Sequence, residues 1–232
     1  MNKTHTLAVR IALQSGAGAA DTQLALIAEG AGDAQLQTVV AEFKPAEIAV
    51  MVSDADMTKP SLAHAFINAE QFIGAFSRLG SRWGEVQTSV DYVSFQRDVE
   101  DFLCPMILSS GDPVRHAEML AALIHHELGT ETLLFMALGH KETPALLAHP
   151  HGFPITRGTW QELLSLTYEK HPTEFHEIAN MARDVYNGGD EAIHEFAYSV
   201  LTALHDEAKM HQTPEEVATE EFVDILPARS EF

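Results

Sequence analysis

The spacing of apolar residues changes part-way along this 232-residue chain, and that change constrains the fold more than any other feature. From residue 58 onward, apolar residues recur every three or four positions, which places them on one face of an α-helix. The clearest stripe ends at Gly80 and consists of Leu62, Phe66, Ala69, Ile73 and Phe76. Before residue 44, several runs alternate with a period of two instead, as in a half-buried β-strand. The sequence therefore predicts an α+β fold.

The β-structure is predicted to be a small N-terminal antiparallel three-stranded meander. Its strands are residues 6–14, 22–29 and 35–43, and glycine-rich segments between them favour turns. A helix opening at Pro45 would cover the apolar face that such a sheet presents. A helix over 22–29 is an alternative, because Ala, Leu and Gln also suit that structure.

A predominantly α-helical body follows the meander. Asp112 and Pro113 match an N-cap and first helical position, Gly129 matches a helix end, and the apolar run 133–138 predicts a helix buried on every side. Pro105 is expected to close the helix before it. Beyond the stripe that ends at Gly80, helices are predicted at about 83–104, 112–128, 130–138, 159–170, 173–187 and 190–211.

These patterns predict three regions in the chain. Residues 1–57 form a β-rich subdomain with its covering helix, residues 58–211 form the helical body, and residues 212–232 form an acidic tail. A further boundary within the body is predicted at 149–158, where two prolines and a glycine in the loop 149–154 interrupt any helix.

The charge narrows the classes of partner. Thirty-four acidic residues against 14 basic ones give a formal net charge of −20, which repels nucleic-acid phosphates and anionic membranes. No apolar run approaches the length of a membrane span. The single cysteine, Cys104, has apolar neighbours and cannot form an internal disulfide, so a cytoplasmic location is predicted. A secretory signal in the first 21 residues is the weaker alternative, because Arg10 interrupts the apolar stretch.

Histidine is the most unusual component, with 13 residues. Glu191 and His194 have the Glu-x-x-His spacing that places two metal ligands on one helix face, and His205 lies along the same edge. His125 or His126 would complete a zinc or iron site from another helix. Only one such motif is present, which disfavours a dinuclear centre. The competing interpretation is that these histidines pair with nearby carboxylates.

Two further histidines, His149 and His151, flank a proline in the predicted linker. Side chains two apart in an extended segment point the same way, so the pair would suit a metal or a phosphate. The competing interpretation is an exposed connector. The sequence contains none of the familiar motifs of phosphate loops, dinucleotide-binding folds, nucleophile elbows or zinc proteases. No residue is therefore assigned a catalytic role.

The tail combines acidic residues with a short apolar cluster. Phe222, Val223, Ile225 and Leu226 are the candidate anchors for a partner protein, and the acids around them would favour a basic partner surface. The alternative is that the tail packs against its own body.

The sequence thus predicts a non-enzymatic, acidic protein-interaction or assembly protein, an adaptor or chaperone-like binder without a cofactor. A metal-dependent or acid–base enzyme using the His/Glu strip is the first alternative, and a subunit of a virion or other large complex is the second. Homo-oligomerisation is left open.

Overall fold

The computed structural model describes residues 2–52, 60–83 and 92–211, and throughout these ranges the chain forms helices and no β-strand. Three 3₁₀-helices accompany the α-helices, at Leu62–Ala65, Leu79–Arg82 and Pro150–Gly152. The α-helices are α1 Asn2–Leu13, α2 Ala17–Ala31, α3 Asp33–Val40, α4 Pro45–Met51, α5 Ala69–Phe76, α6 Val93–Leu108, α7 Pro113–Ile124, α8 Gly129–Leu138, α9 Thr143–Ala148, α10 Trp160–Lys170, α11 Pro172–Asn187 and α12 Gly189–His211.

The predicted three-stranded meander is therefore wrong, and with it the α+β class, because its three runs lie in α1, α2 and α3. In α1 the residues turned inward are Thr6 and Val9, with Leu13 partly buried, and they follow the helical spacing i, i+3, i+7. Leu7 and Ile11, which completed the apparent alternation, are 57% and 59% exposed. The alternating pattern therefore arose because apolar residues also lie on the exposed side of the helix.

The glycine-rich turns were placed correctly but join helices. Gly16 and Gly32 have φ angles of 117° and 80°, a conformation that glycine adopts without steric cost. Between them, α2 buries Ala17, Ala20, Leu24 and Ile27, again at helical spacing. The helix weighed as an alternative for residues 22–29 is the one that forms.

Side-chain contacts join these first helices to one another. The Arg10 guanidinium on α1 binds the Glu47 carboxylate on α4 at 2.6 Å and also donates to the Glu42 carbonyl. Burial alone would raise the pKa of Glu47, but the bonds from Arg10 and the Lys44 N–H lower it. The Gln71 amide on α5 donates to the Val40 and Phe43 carbonyls, which satisfies the end of α3.

The predicted stripe from Leu62 to Phe76 is divided between a 3₁₀-helix and α5. Asn68 divides it, because its side chain accepts a hydrogen bond from the Gln71 N–H while Gln71 accepts one from the Asn68 N–H. This capping box fixes a helix start in the middle of a continuous apolar stripe.

Two other helix ends also differ from expectation. Pro105 lies inside α6, which continues to Leu108 because its last turn is buried against the core. Helix α7 has the predicted Asp112 cap, whose carboxylate accepts from the Val114 N–H at 2.9 Å, but it ends at Ile124. Gly129 begins α8 instead of ending α7. Helix α6 begins at Val93, whereas its start was predicted at Trp83. Residues 84–91, which the prediction also covers, lie outside the described residues.

Helix α8 is the centre of the fold. Its residues Leu133–Ala137 are 0% exposed, and it contacts α6, α7, α10, α11 and α12. The prediction of a helix buried on every side is confirmed. One hydrophobic cluster runs from Val9 to Leu204, so the N-terminal helices share the core around α8. The division at residues 57 and 58 stays a prediction. Among the described helices, none has the length and apolar character required to cross a lipid bilayer.

Candidate functional site: a groove between α9 and α11

The structure separates the residues that the metal hypothesis grouped. Glu191 and His194 are exposed on the first turns of α12, and the His194 ring lies edge-on to Tyr92 at 4.7 Å. His205, further along α12, has its Nδ1 3.4 Å from the Gly80 carbonyl. His125 is exposed at the end of α7.

His126, the alternative to His125, contacts helix α12. Its Nε2 lies 2.9 Å from the Glu207 carboxylate. In residues 2–52, 60–83 and 92–211, no three His, Cys, Asp or Glu side chains are close enough to hold one metal ion. Zinc or iron binding therefore stays a prediction for Glu191, His194, His205 and His125, which do not form a ligand cluster in the described structure.

The residues around His126 have the composition of a hydrolase triad but not its geometry. The Ser77 hydroxyl and the Glu207 carboxylate both approach Nε2, at 3.4 and 2.9 Å. Nδ1 accepts from the Leu128 N–H, so Nε2 carries the proton and donates to Glu207. A triad needs its acid and its nucleophile on opposite ring nitrogens. The cluster therefore acts as a link between α5, the α7–α8 junction and α12.

A second histidine–carboxylate pair links α6 to α10. His140 Nε2 lies 2.8 Å from the buried Glu100 carboxylate, and the His140 ring stacks on Trp160 with the ring centroids 4.5 Å apart. This pair was not predicted from the sequence, because Glu100 lies on a helix face with the pattern of a core face and His140 lies 40 residues away.

A third polar cluster is buried beneath α7. The Arg115 guanidinium donates to the His64 carbonyl, and the His64 Nδ1–H donates to the Ser61 carbonyl at 3.0 Å. Burial lowers the pKa of His64 to about 4, and Arg115 adds to that effect. His64 is therefore neutral around pH 7.

Cys104 is also buried, as its apolar neighbours predicted. Burial raises the pKa of its thiol, and nearby carboxylates, Glu100 first, raise it further. A thiol that stays protonated is a poor nucleophile, so Cys104 has a packing role.

A concave feature of the surface brings His149 and His151 together. Two adjoining cavities, of about 430 and 640 Å³, share Leu147, Ala148, Ala179 and Arg183 in their lining. The smaller one extends to Pro144, Ala182, Tyr186 and Asn187. The larger one extends to residues 149–152, Tyr168, Phe175, His176 and Asn180. We call this continuous feature the α9–α11 groove.

Both walls of the groove are held by defined contacts. The His151 Nε2 and the Tyr168 hydroxyl are 2.6 Å apart, and Tyr168 packs edge-on against the buried Phe175. Beyond the groove, the Gln161 and Glu162 side chains at the start of α10 accept from the N–H groups of Thr156 and Gly158. The predicted linker is thus tied to the helix that follows it.

The described residues of the lining combine apolar and uncharged polar groups with one permanent positive charge. None of these lining residues is Asp or Glu, although Asp and Glu make up 34 of the 232 residues of the chain. Arg183 is exposed and makes no hydrogen bond or ion pair with the described residues. An arrangement of this kind can hold a ligand without displacing an internal contact.

His149 and His151 were candidate residues in the sequence, whereas Arg183 and Tyr168 were not. Their signal is weak, because both lie at the edge of an ordinary amphipathic helix. The packing of α9 and α10 against α11 makes them neighbours of the loop histidines.

Comparison with known proteins does not identify the chain. No family model, no curated protein and no solved structure matches it.

The candidate tail anchors Phe222, Val223, Ile225 and Leu226 lie outside the described residues. Their role stays a prediction.

Proposed function

We propose that this is a non-enzymatic protein-interaction protein, adaptor or chaperone-like, which holds an extended segment of a partner protein in the α9–α11 groove. The observation that carries the proposal is the lining of that groove, in which two adjoining cavities combine apolar walls with hydrogen-bonding groups. Each cavity has the volume of a typical ligand pocket.

The length of the groove suits a peptide. Along α11 it extends from Phe175 to Asn187, which is about 18 Å at 1.5 Å per residue. An extended chain rises about 3.3 Å per residue, so about five or six residues of a partner would fit. Short extended segments bound in grooves are a common mode of recognition between proteins.

The apolar walls would supply most of the binding free energy. Pro144, Leu147 and Ala148 line one side, and Ala179 and Ala182 line the other. Burying an apolar side chain contributes about 1.5–3 kcal/mol, from which the ordering of the partner segment subtracts. A modest affinity, suited to reversible association, is expected.

The test is to fill the groove with a side chain. Ala179 lines both cavities, so Ala179→Trp should abolish binding of partners recovered from lysate while the melting temperature stays within about 3 °C, the effect of a small stability change. Ala34→Trp, on the exposed face of α3, is the matched control and should bind normally. Equal recovery of partners by both variants would contradict the proposal.

An acid–base enzyme is a second candidate, favoured by one observation. Tyr168 and His151 form a short hydrogen bond at the wall of the larger cavity, where proton transfer to a bound substrate is feasible. Turnover of chromogenic esters or phosphates by the wild type, lost in Tyr168→Phe, would support it. Turnover that survives in Tyr168→Phe would exclude this pair.

A further inference from the structure

We infer that the groove selects acidic partner segments and that Arg183 binds their carboxylates. The inference rests on the proposed function and names the chemistry of the partner.

The first support is a polar stripe on the face of α11 that lines the groove. Asn180, Arg183 and Asn187 follow the spacing i, i+3, i+7, which stacks them along one side of the helix. All three are exposed, and none makes a side-chain hydrogen bond within the described part of the chain. Their amide and guanidinium groups provide N–H donors that face the groove.

The second support is charge. Among the described residues of the lining, Arg183 is the one permanently charged side chain, and a guanidinium binds a carboxylate through two parallel hydrogen bonds. A basic segment would meet this charge with no carboxylate among those lining residues to offset it. The groove is therefore complementary to an acidic segment, although the chain as a whole carries a formal charge of −20.

The overall negative charge does not prevent this selection. At physiological ionic strength the Debye length is about 8 Å, so distant carboxylates are screened and the groups in the groove dominate. Glu177 and Asp184 neighbour the stripe on α11 but do not line the groove. Their negative charges are expected to act mainly on the rate at which an acidic segment associates.

The spacing of the stripe predicts a sequence pattern in the partner. The rise along α11 from Arg183 to Asn187 is about 6 Å. In an extended segment, side chains two residues apart lie on the same face and about 6.6 Å from each other. Acidic residues at alternate positions would therefore meet Arg183 and Asn187, and the apolar residues between them would face Pro144 and Leu147 on the opposite wall.

Three labelled peptides of twelve residues test the inference by fluorescence anisotropy at 0.15 M salt. Each alternates leucine or phenylalanine with a variable residue, which is glutamate, glutamine or lysine. The glutamate peptide should bind about tenfold more tightly than the glutamine peptide, because it adds a charge-assisted hydrogen bond. The lysine peptide should bind most weakly.

Arg183→Gln should remove that preference. Affinity for the glutamate peptide should fall about tenfold, affinity for the glutamine peptide should not change, and the melting temperature should be retained. Arg97→Gln, at an exposed position of α6 away from the groove, is the matched control and should leave both affinities unchanged.

The outcomes separate the two proposals. Equal binding of the glutamate and glutamine peptides, both lost in Ala179→Trp, would refute the acidic selection and leave the peptide-binding function standing. A preference that survives Arg183→Gln would refute the role of Arg183. If no peptide binds and Ala179→Trp still recovers its partners, the groove is not the docking site and both proposals fail.

Discussion

Replacing Gly80 with alanine should destabilise the protein strongly, although the change adds one methyl group. Gly80 lies in the 3₁₀-helix Leu79–Arg82, which packs directly against the backbone of α12. A Cβ at this position would lie 2.2 Å from the Leu204 carbonyl oxygen and 2.6 Å from the His205 nitrogen.

The size of the effect follows from these distances. Ordinary contacts of a Cβ begin at 3.4 Å, so the two backbones must separate by about 1.2 Å. The neighbouring atoms belong to a helix backbone and cannot rotate away, as a flexible side chain would. Overpacking of this kind costs about 3 kcal/mol, at the upper end of the usual range. Separation would also loosen the buried Leu79 and Leu204 side chains.

Urea unfolding followed by circular dichroism gives the free energy of unfolding for Gly80→Ala and for a matched control. Gly18→Ala places the same methyl group on α2, where a Cβ meets nothing within 4 Å. It should stabilise the protein by about 0.5 kcal/mol, because alanine favours a helix over glycine. A Gly80→Ala variant within 0.5 kcal/mol of wild type would refute the close approach of the two backbones.

Three further measurements test other parts of the molecule. Burial lowers the pKa of His64 from 6.5 to about 4, so its contribution to stability is fully present above pH 6.5 and is lost as the pH falls through 4. Urea titrations should show that the free energy of unfolding falls by about 3 kcal/mol over this range. His64→Asn should reduce that loss. Truncation after His211 retains the Arg78 bond to the His211 carbonyl. If the tail is a docking peptide, the truncated chain should lose partner binding and keep its melting temperature, whereas a lowered melting temperature with partners retained would show a packed terminus. Added zinc should leave the melting temperature unchanged, because the described residues contain no cluster of three ligands, and a clear increase would revive the Glu191 and His194 hypothesis.

Local signals in the sequence predicted several helices correctly. Pro45 begins α4 and Asp112 caps α7. The helix predicted over 159–170 forms as α10, where the Thr159 side chain accepts from the Gln161 N–H. Caps and N-terminal prolines act within one turn of chain, so their effect is present in the sequence itself. The burial of α8 was predictable for a similar reason, since 133–138 has no polar face to turn to solvent.

The N-terminal region shows where such reasoning fails. Leu7, Val9 and Ile11 alternate as in a strand, yet only Val9 is buried. A run of nine residues contains too few positions to separate a period of two from a period of 3.6 when exposed sites are also apolar. Packing of α1 on α2 and α3 settled which of these side chains turn inward.

The sequence by itself determined the acidic charge, the presence of the helical body and the ends of those helices that carry their own caps. The tertiary structure alone decided that Pro105 stays within a helix, that Gly80 meets α12, and that His126 faces Glu207. It also brought His149 and His151 to the same groove as Arg183. Each of these depends on groups far apart in the chain, and such contacts form only where the burial of apolar faces brings two helices together.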